Sequence, residues 1–175
     1  MTAKDLFVQA IGILGTALFF LSYQCKSNKK LFRVQFVSYL CYTTHLLMLG
    51  AVTGGVSYIL NTVRSFCLGS QNAFLRGKKM CAIICTLQLV ALGLTWDGWQ
   101  SILPVAANIA ATLGGYTYNA RKIRVAGMFI NSPLWIVYDI LVGSWAGILD
   151  EIVTEASMLL SIYRYGWKNL DTVEE

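Results

Sequence analysis

Charge and proline are both scarce in this chain. Of 175 residues 13% are Asp, Glu, Lys or Arg, against 56% hydrophobic, and the only prolines are Pro104 and Pro133. So little charge excludes an ordinary soluble domain. Histidine occurs once, as His45, and the five cysteines (Cys25, Cys41, Cys67, Cys81, Cys85) show no metal-ligand spacing. That excludes a zinc site and predicts buried thiols with no metal and no cofactor. There is no nucleophile elbow, P-loop or dinucleotide fingerprint, and no polar stretch long enough to fold as a soluble active site, so no catalytic residue is assigned and an enzyme is not expected. The net charge of +5 is dispersed in short clusters rather than on one face, which argues against nucleic acid as a partner.

What is present is apolar sequence in runs. Seven fall at 6–24, 33–50, 54–72, 79–95, 102–120, 123–143 and 146–165, each near the ~20 residues needed to cross a bilayer. The first carries bulky Tyr23 and Gln24 ahead of Cys25, unlike a cleavage site, and is read as a retained helix. Lys and Arg concentrate after every odd run: Lys26, Lys29, Lys30 and Arg33; Arg76, Lys78 and Lys79; Arg121, Lys122 and Arg124; Arg164 and Lys168. Turns after even runs contain none. Positive charge marks the cytoplasmic side, so the N-terminus is expected outside and the C-terminus, ending DTVEE, in the cytoplasm. Trp96, Trp99 and Trp145 then fall at the outer interface as an aromatic belt.

The chain repeats itself. Tyr23-Gln24 aligns with Tyr118-Asn119, and the register then sets Ser38, Tyr42 and His45 opposite Asn131, Trp135 and Tyr138, Gly50 opposite Gly143 and Gly54 opposite Gly147. Two triples of the same sense need one extra crossing between them, supplied by the plain fourth run. The expected fold is an all-α integral membrane protein with seven transmembrane helices, a 3+1+3 arrangement of two parallel triple-helix bundles joined by a linker helix. The bundles take residues 1–75 and 99–175 of a single membrane domain, with the linker at 76–98.

Gly12–Tyr23 ending in SYQ, the basic linker to LFRVQ, His45 followed by LLMLG, and the run GGVSYILNTVRS carry a family pattern. With these features the chain resembles the YgjV-like family of bacterial inner-membrane proteins. That family is similar in fold to the SWEET, SemiSWEET and PQ-loop transporters, which implies a bacterial inner-membrane location and solute transport. In the SWEET pattern an Asn on the third helix and a Trp on the second helix of each triple line a sugar site. Asn61 and Trp135 match, whereas Glu155 and Tyr42 stand at the other two positions, and the Pro-Gln dipeptide is absent.

Polar residues inside apolar runs supply the candidate site, because each needs a partner or a water-filled cavity there. Arg64 and Glu155 lie near the middle of their runs, where an unpaired charge costs on the order of 3 kcal/mol. They are expected either to share a substrate cavity or to form a structural ion pair. Asn61, Asn108, Asn131, Tyr42, Trp135 and Tyr138 complete the expected substrate-binding set, with Gln88 the most polar residue of the linker. Asn108, Thr112 and Asn119 form a helical stripe that lines the cavity or bonds across helices. His45 and Glu155 are weighed as a proton relay against a packing role for the histidine. Asp139, Asp150 and Glu151 read as a solvated acidic rim, Gly12, Gly15, Gly114 and Gly115 as sites of close helix contact, and Pro133 as a kink. The reading is a small-solute transporter whose partners are the lipid bilayer and a small polar solute, with a homo-oligomer left open. The alternative is a non-transporting membrane scaffold or assembly protein whose polar stripes only bind helices together.

Overall fold

The computed structural model describes residues 3–48, 52–96, 98–142 and 145–170, and all regular structure among them is helical. Helices α1 (Ala3–Tyr23), α2 (Asn28–Met48), α3 (Val52–Gly69) and α4 (Lys78–Leu94) follow the first four runs. A 3-10 turn at Trp99–Ser101 leads into α5 (Ile102–Gly115). The sixth run is one rod in three parts, α6 (Ala120–Ala126), a π-helical turn at Gly127–Asn131 and α7 (Ser132–Val142). The last is α8 (Trp145–Tyr165), which stops at Gly166, whose φ of 77° suits the left-handed position beyond a helix.

Two boundaries depart from the sequence reading. The fifth run was expected to reach residue 120, but α5 ends at Gly115 and the chain turns through Tyr118 at φ 50°. Asn119 then caps α6, its side-chain oxygen accepting from the Lys122 amide at 2.9 Å. Pro133 lacks an amide hydrogen and its ring crowds the carbonyl four residues back. The ladder widens into the π turn just before it, so the irregularity lies over 127–131 rather than at the proline. Among the described residues no helix is long and apolar enough to cross a membrane. Polar side chains interrupt α2 throughout, and α4 and α5 have only 17 and 14 residues.

The helices close into a ring. Helix α2 packs on α1 and α3, α7 packs on α5 and α8, and the two sets meet where α3 touches α5 and α8 touches α1. Helix α4 lies against α3 and α5, beside one of these two seams. On the α1–α2 contact, a Cβ on Gly12 would stand 3.0 Å from the His45 ring and one on Gly15 3.0 Å from the Tyr42 ring. The bare backbone of α1 therefore receives two side chains of α2 spaced three residues apart.

Polarity is distributed inside out. Ile13, Leu94 and Phe129 are 70%, 80% and 68% exposed, and the outward faces of the other helices are similarly apolar. Arg64, Arg124, Gln88, Asn61, Asn108 and Thr112 are buried. In water this arrangement forfeits the main driving force of folding. It suits a chain whose outer solvent is hydrocarbon.

Candidate functional site

An amide and guanidinium cluster lies near the middle of α3 and α5, with Gln88 buried on the neighbouring α4. Asn61 Nδ2 donates to Asn108 Oδ1 at 3.2 Å, and Arg64 Nη2 donates to the Tyr39 hydroxyl at 2.9 Å with its guanidinium over the Tyr39 ring. Asn61 and Arg64 are three residues apart on α3 and so share one face. Several atoms of this cluster have no partner: Asn61 Oδ1, Arg64 Nη1, Ser65 Oγ, Asn108 Nδ2 and both amide atoms of Gln88. Each buried polar group left without a bond costs about 1–3 kcal/mol. A concentration of such atoms, donors and acceptors together, is the feature of a place that water or a polar solute fills.

A row of aromatic rings crosses from this cluster to the other side of the ring. Tyr39 meets Tyr58 with centroids 5.8 Å apart, Tyr58 meets Tyr42 at 5.1 Å and Trp135 at 6.2 Å, and Trp135 meets Tyr138 at 5.7 Å. Tyr58 and Trp135 thus join α3 to α7 across the interior. Beyond them stand carboxylates. Asp150 accepts from the Tyr42 hydroxyl, which also bonds Thr16. Glu151 and Glu155, one turn apart on α8, flank Ser132 at the start of α7. Ser132 Oγ approaches both but reaches hydrogen-bond geometry with neither, and Glu151 Oε2 and Glu155 Oε1 are also without partners.

The expected residues therefore fall into two groups rather than one. Asn61, Asn108 and Arg64 lie together, and Tyr42, Trp135, Tyr138 and Glu155 belong to the aromatic and acidic side. Arg64 turns to Tyr39, and no bond links it to Glu155 among the described residues. Asn131 sits half-buried in the π turn. His45 Nδ1 lies 2.8 Å from the Val8 carbonyl, an acceptor only, so this nitrogen carries the proton. The acidic rim is corrected: Asp139 and Asp150 are 6% and 9% exposed and face inward. Trp96 and Trp99 are exposed. The side chain of Trp145, Gly50, Gly143 and the DTVEE end lie outside the described residues. Sequence reasoning missed Tyr39, Tyr58 and Ser132. Tyr39 and Tyr58 were legible as neighbours of the polar stripe, since Tyr58, Asn61 and Ser65 recur at helical spacing.

One end of the ring is tied shut at both seams. Gln24 Nε2 donates to the Ser157 carbonyl at 2.8 Å and to Ser157 Oγ at 3.0 Å, while Gln24 Oε1 accepts from Arg164 at 3.0 Å, so α1 and α8 are joined. At the other seam the Tyr118 hydroxyl donates to the Leu68 carbonyl at 3.0 Å and Tyr116 to that of Leu75 at 3.1 Å. Arg124 is buried among oxygen acceptors, donating to Ser161 Oγ at 2.8 Å and to the carbonyls of Ala120 and Tyr23 at 3.2 and 3.0 Å.

Neither a curated protein nor a solved structure matches this chain. Its residues 6–169 do match the sequence profile of Imp-YgjV, described as a bacterial inner membrane protein. A match over nearly the whole length, on a molecule with an apolar exterior and a polar interior, carries a single conclusion: the chain belongs to the Imp-YgjV family of bacterial inner membrane proteins.

Proposed function

We propose that this protein is a small-solute transporter, a multi-pass protein that binds a polar solute midway through the membrane between two triple-helix bundles. The observation that carries the reading is the set of buried partnerless polar atoms, among them Arg64 Nη1, Asn108 Nδ2 and both amide atoms of Gln88. Helix glue alone gives no reason to leave so many bonds unmade, because each glue contact stabilises only by forming one. In this reading α1–α3 and α5–α8 are the two bundles, with α4 as the linker in a 3+1+3 order. The ring supports it, since the first helix of each bundle packs on the third helix of the other. The reading includes a kinship in fold with SWEET and PQ-loop transporters, with Tyr42 and Glu155 as departures from the sugar-site pattern. The Lys and Arg placement supports an N-terminus outside and a C-terminus in the cytoplasm. The half-helix irregularity at Gly127–Asn131, next to the interior, resembles the discontinuities that transporters place at binding sites.

Single cysteines at Asn61, Trp135 and Glu155, introduced after replacing the five native ones, test this directly. Labelling by a membrane-impermeant thiol reagent from at least one side is expected at all three positions. Three sites that stay unreactive in intact and everted vesicles would return the protein to the scaffold alternative.

A further inference from the structure

Resting on the transporter reading, we propose that Glu151, Glu155 and Ser132, set against the rings of Tyr58 and Trp135, form the binding place of an organic ammonium group. Three independent features converge there. The first is unbalanced charge. Among the described residues no Lys or Arg bonds Asp150, Glu151 or Glu155, while the buried cations are engaged elsewhere, Arg64 by Tyr39 and Arg124 by Ser161, Ala120 and Tyr23. A carboxyl held away from water either keeps its proton or finds a compensating cation or donors, and an arriving cation favours the ionised form.

The second feature is unmade bonds pointing at one spot. Ser132, 1% exposed, leaves its Oγ without a partner between two carboxylates that each keep a buried oxygen free. An ammonium carries several N–H donors, or a diffuse positive surface where it is fully substituted, and answers all three oxygens together. The third feature is the wall. Tyr58 lies within electrostatic reach of both Asp150 and Glu151 and packs against Trp135, which shares a face of α7 with Ser132. Aromatic faces attract organic cations such as quaternary ammonium groups. Among the described residues no group of three or more His, Cys, Asp or Glu side chains is arranged to hold a metal ion. An organic cation is thus favoured over an inorganic one, and the surplus of carboxylates disfavours an anion.

The full-length protein in lipid nanodiscs, titrated with choline and with phenethylamine, tests the assignment. The carbon isostere of choline, 3,3-dimethylbutan-1-ol, and a sugar, glucose, serve as neutral controls. At least one of the two cations is expected to raise the melting temperature in a saturable way, and 3,3-dimethylbutan-1-ol and glucose are not. Glu151→Gln and Glu155→Gln are each expected to weaken that binding tenfold or more, and Trp135→Leu at least threefold. Ser132→Ala, which perturbs packing least, gives a second reading should a glutamine variant fail to fold, with a threefold or greater loss expected. Equal binding of cation and isostere, no binding of either cation, or unchanged affinity in the variants would overturn the ammonium site. If glucose alone binds and the cysteines at Asn61, Trp135 and Glu155 are labelled, the ammonium site falls and the transporter stands. If those cysteines are unreactive, both fall.

Discussion

The Tyr42 hydroxyl on α2 donates to the Asp150 carboxylate on α8, and Thr16 of α1 bonds the same hydroxyl. Because the Tyr42 proton goes to Asp150, the Thr16 hydroxyl is the donor to the Tyr42 oxygen. One phenol therefore ties three helices together, two from one side of the ring and one from the other. Tyr42→Phe keeps the ring against Gly15 and removes only the oxygen, leaving a buried carboxylate one donor short. A loss of about 1–2 kcal/mol in reversible unfolding in detergent is expected. Thr16→Val should cost less, since Asp150 keeps its donor. Equal losses for the two would mean that the carboxylate does not depend on Tyr42.

The two buried arginines should behave differently. Arg124 has each of its nitrogens on an oxygen, whereas Arg64 makes one bond and leaves Nη1 without any. Arg124→Leu is expected to destabilise the fold by about 2–4 kcal/mol, because it strips Ser161 and two carbonyls of their donor. Arg64→Leu removes a poorly compensated charge and should stay within about 1 kcal/mol of the parent, while abolishing uptake by a transporter that uses Nη1. Chemical denaturation of both variants, with solute uptake measured for Arg64→Leu, separates structural from functional use of the same side chain.

Much of this was legible in the chain. Apolar runs are a one-dimensional property, so the helices could be read off, and the basic turns made their pairing into two triples readable as an expectation. The polar stripe Asn61 and Arg64 was visible by spacing, because both must share a helix face. Direction was not. Nothing local says that Arg64 turns to Tyr39 instead of Glu155, since that depends on how α2, α3 and α8 are rotated around the ring. Asp139 and Asp150 were misplaced for a related reason. Nearness to a helix end suggested water, yet burial follows from which way the face points, and theirs points inward.

Two glycines make a matched pair. A Cβ on Gly114 of α5 would stand 2.7 Å from the Ala126 Cβ and 3.3 Å from the Lys122 carbonyl oxygen, whereas one on Gly93 of α4 would meet nothing within 4 Å. Ala126 and a backbone carbonyl cannot swing aside, so Gly114→Ala is expected to cost about 1–3 kcal/mol as α5 and α6 are forced apart. Gly93→Ala should be neutral or stabilise by up to about 1 kcal/mol through helix propensity. Thermal unfolding of the two variants side by side checks the sign of each.

Cys25 lies just past the end of α1, with burial pushing its thiol up from the ordinary value and Lys30 pulling weakly the other way. Its thiol also donates to the Leu21 carbonyl at 3.7 Å. The thiolate is the reactive form, so a raised value means a smaller reactive fraction at neutral pH. Maleimide labelling of a variant with Cys25 as its sole cysteine should therefore be slower at pH 7 than for a free thiol, and should keep rising above pH 9. A rate that levels off below pH 8.5 would contradict the burial assigned to this residue.

Gln24 makes four of the bonds across the α1 and α8 seam: its amide donates twice to Ser157, its side-chain oxygen accepts from Arg164, and its own carbonyl accepts from Tyr165. The Ser157 hydroxyl adds a bond to the Phe20 carbonyl, and Arg124 bridges Tyr23 to Ser161. If the two bundles rock against each other during transport, this seam must open at this end, and the three bonds of the carboxamide must break. Gln24→Leu has nearly the same size and shape but forms none of the three side-chain bonds. The backbone bond to Tyr165 survives, so the seam should loosen without coming apart. Hydrogen exchange around residues 21–25 and 157–165 is expected to accelerate roughly tenfold, matching the ~1–2 kcal/mol of one or two net hydrogen bonds. Exchange in α3 and α4, whose main neighbours are α2, α5 and each other, should not change. Acceleration spread evenly over all helices would show that Gln24 supports the fold as a whole instead of latching one seam.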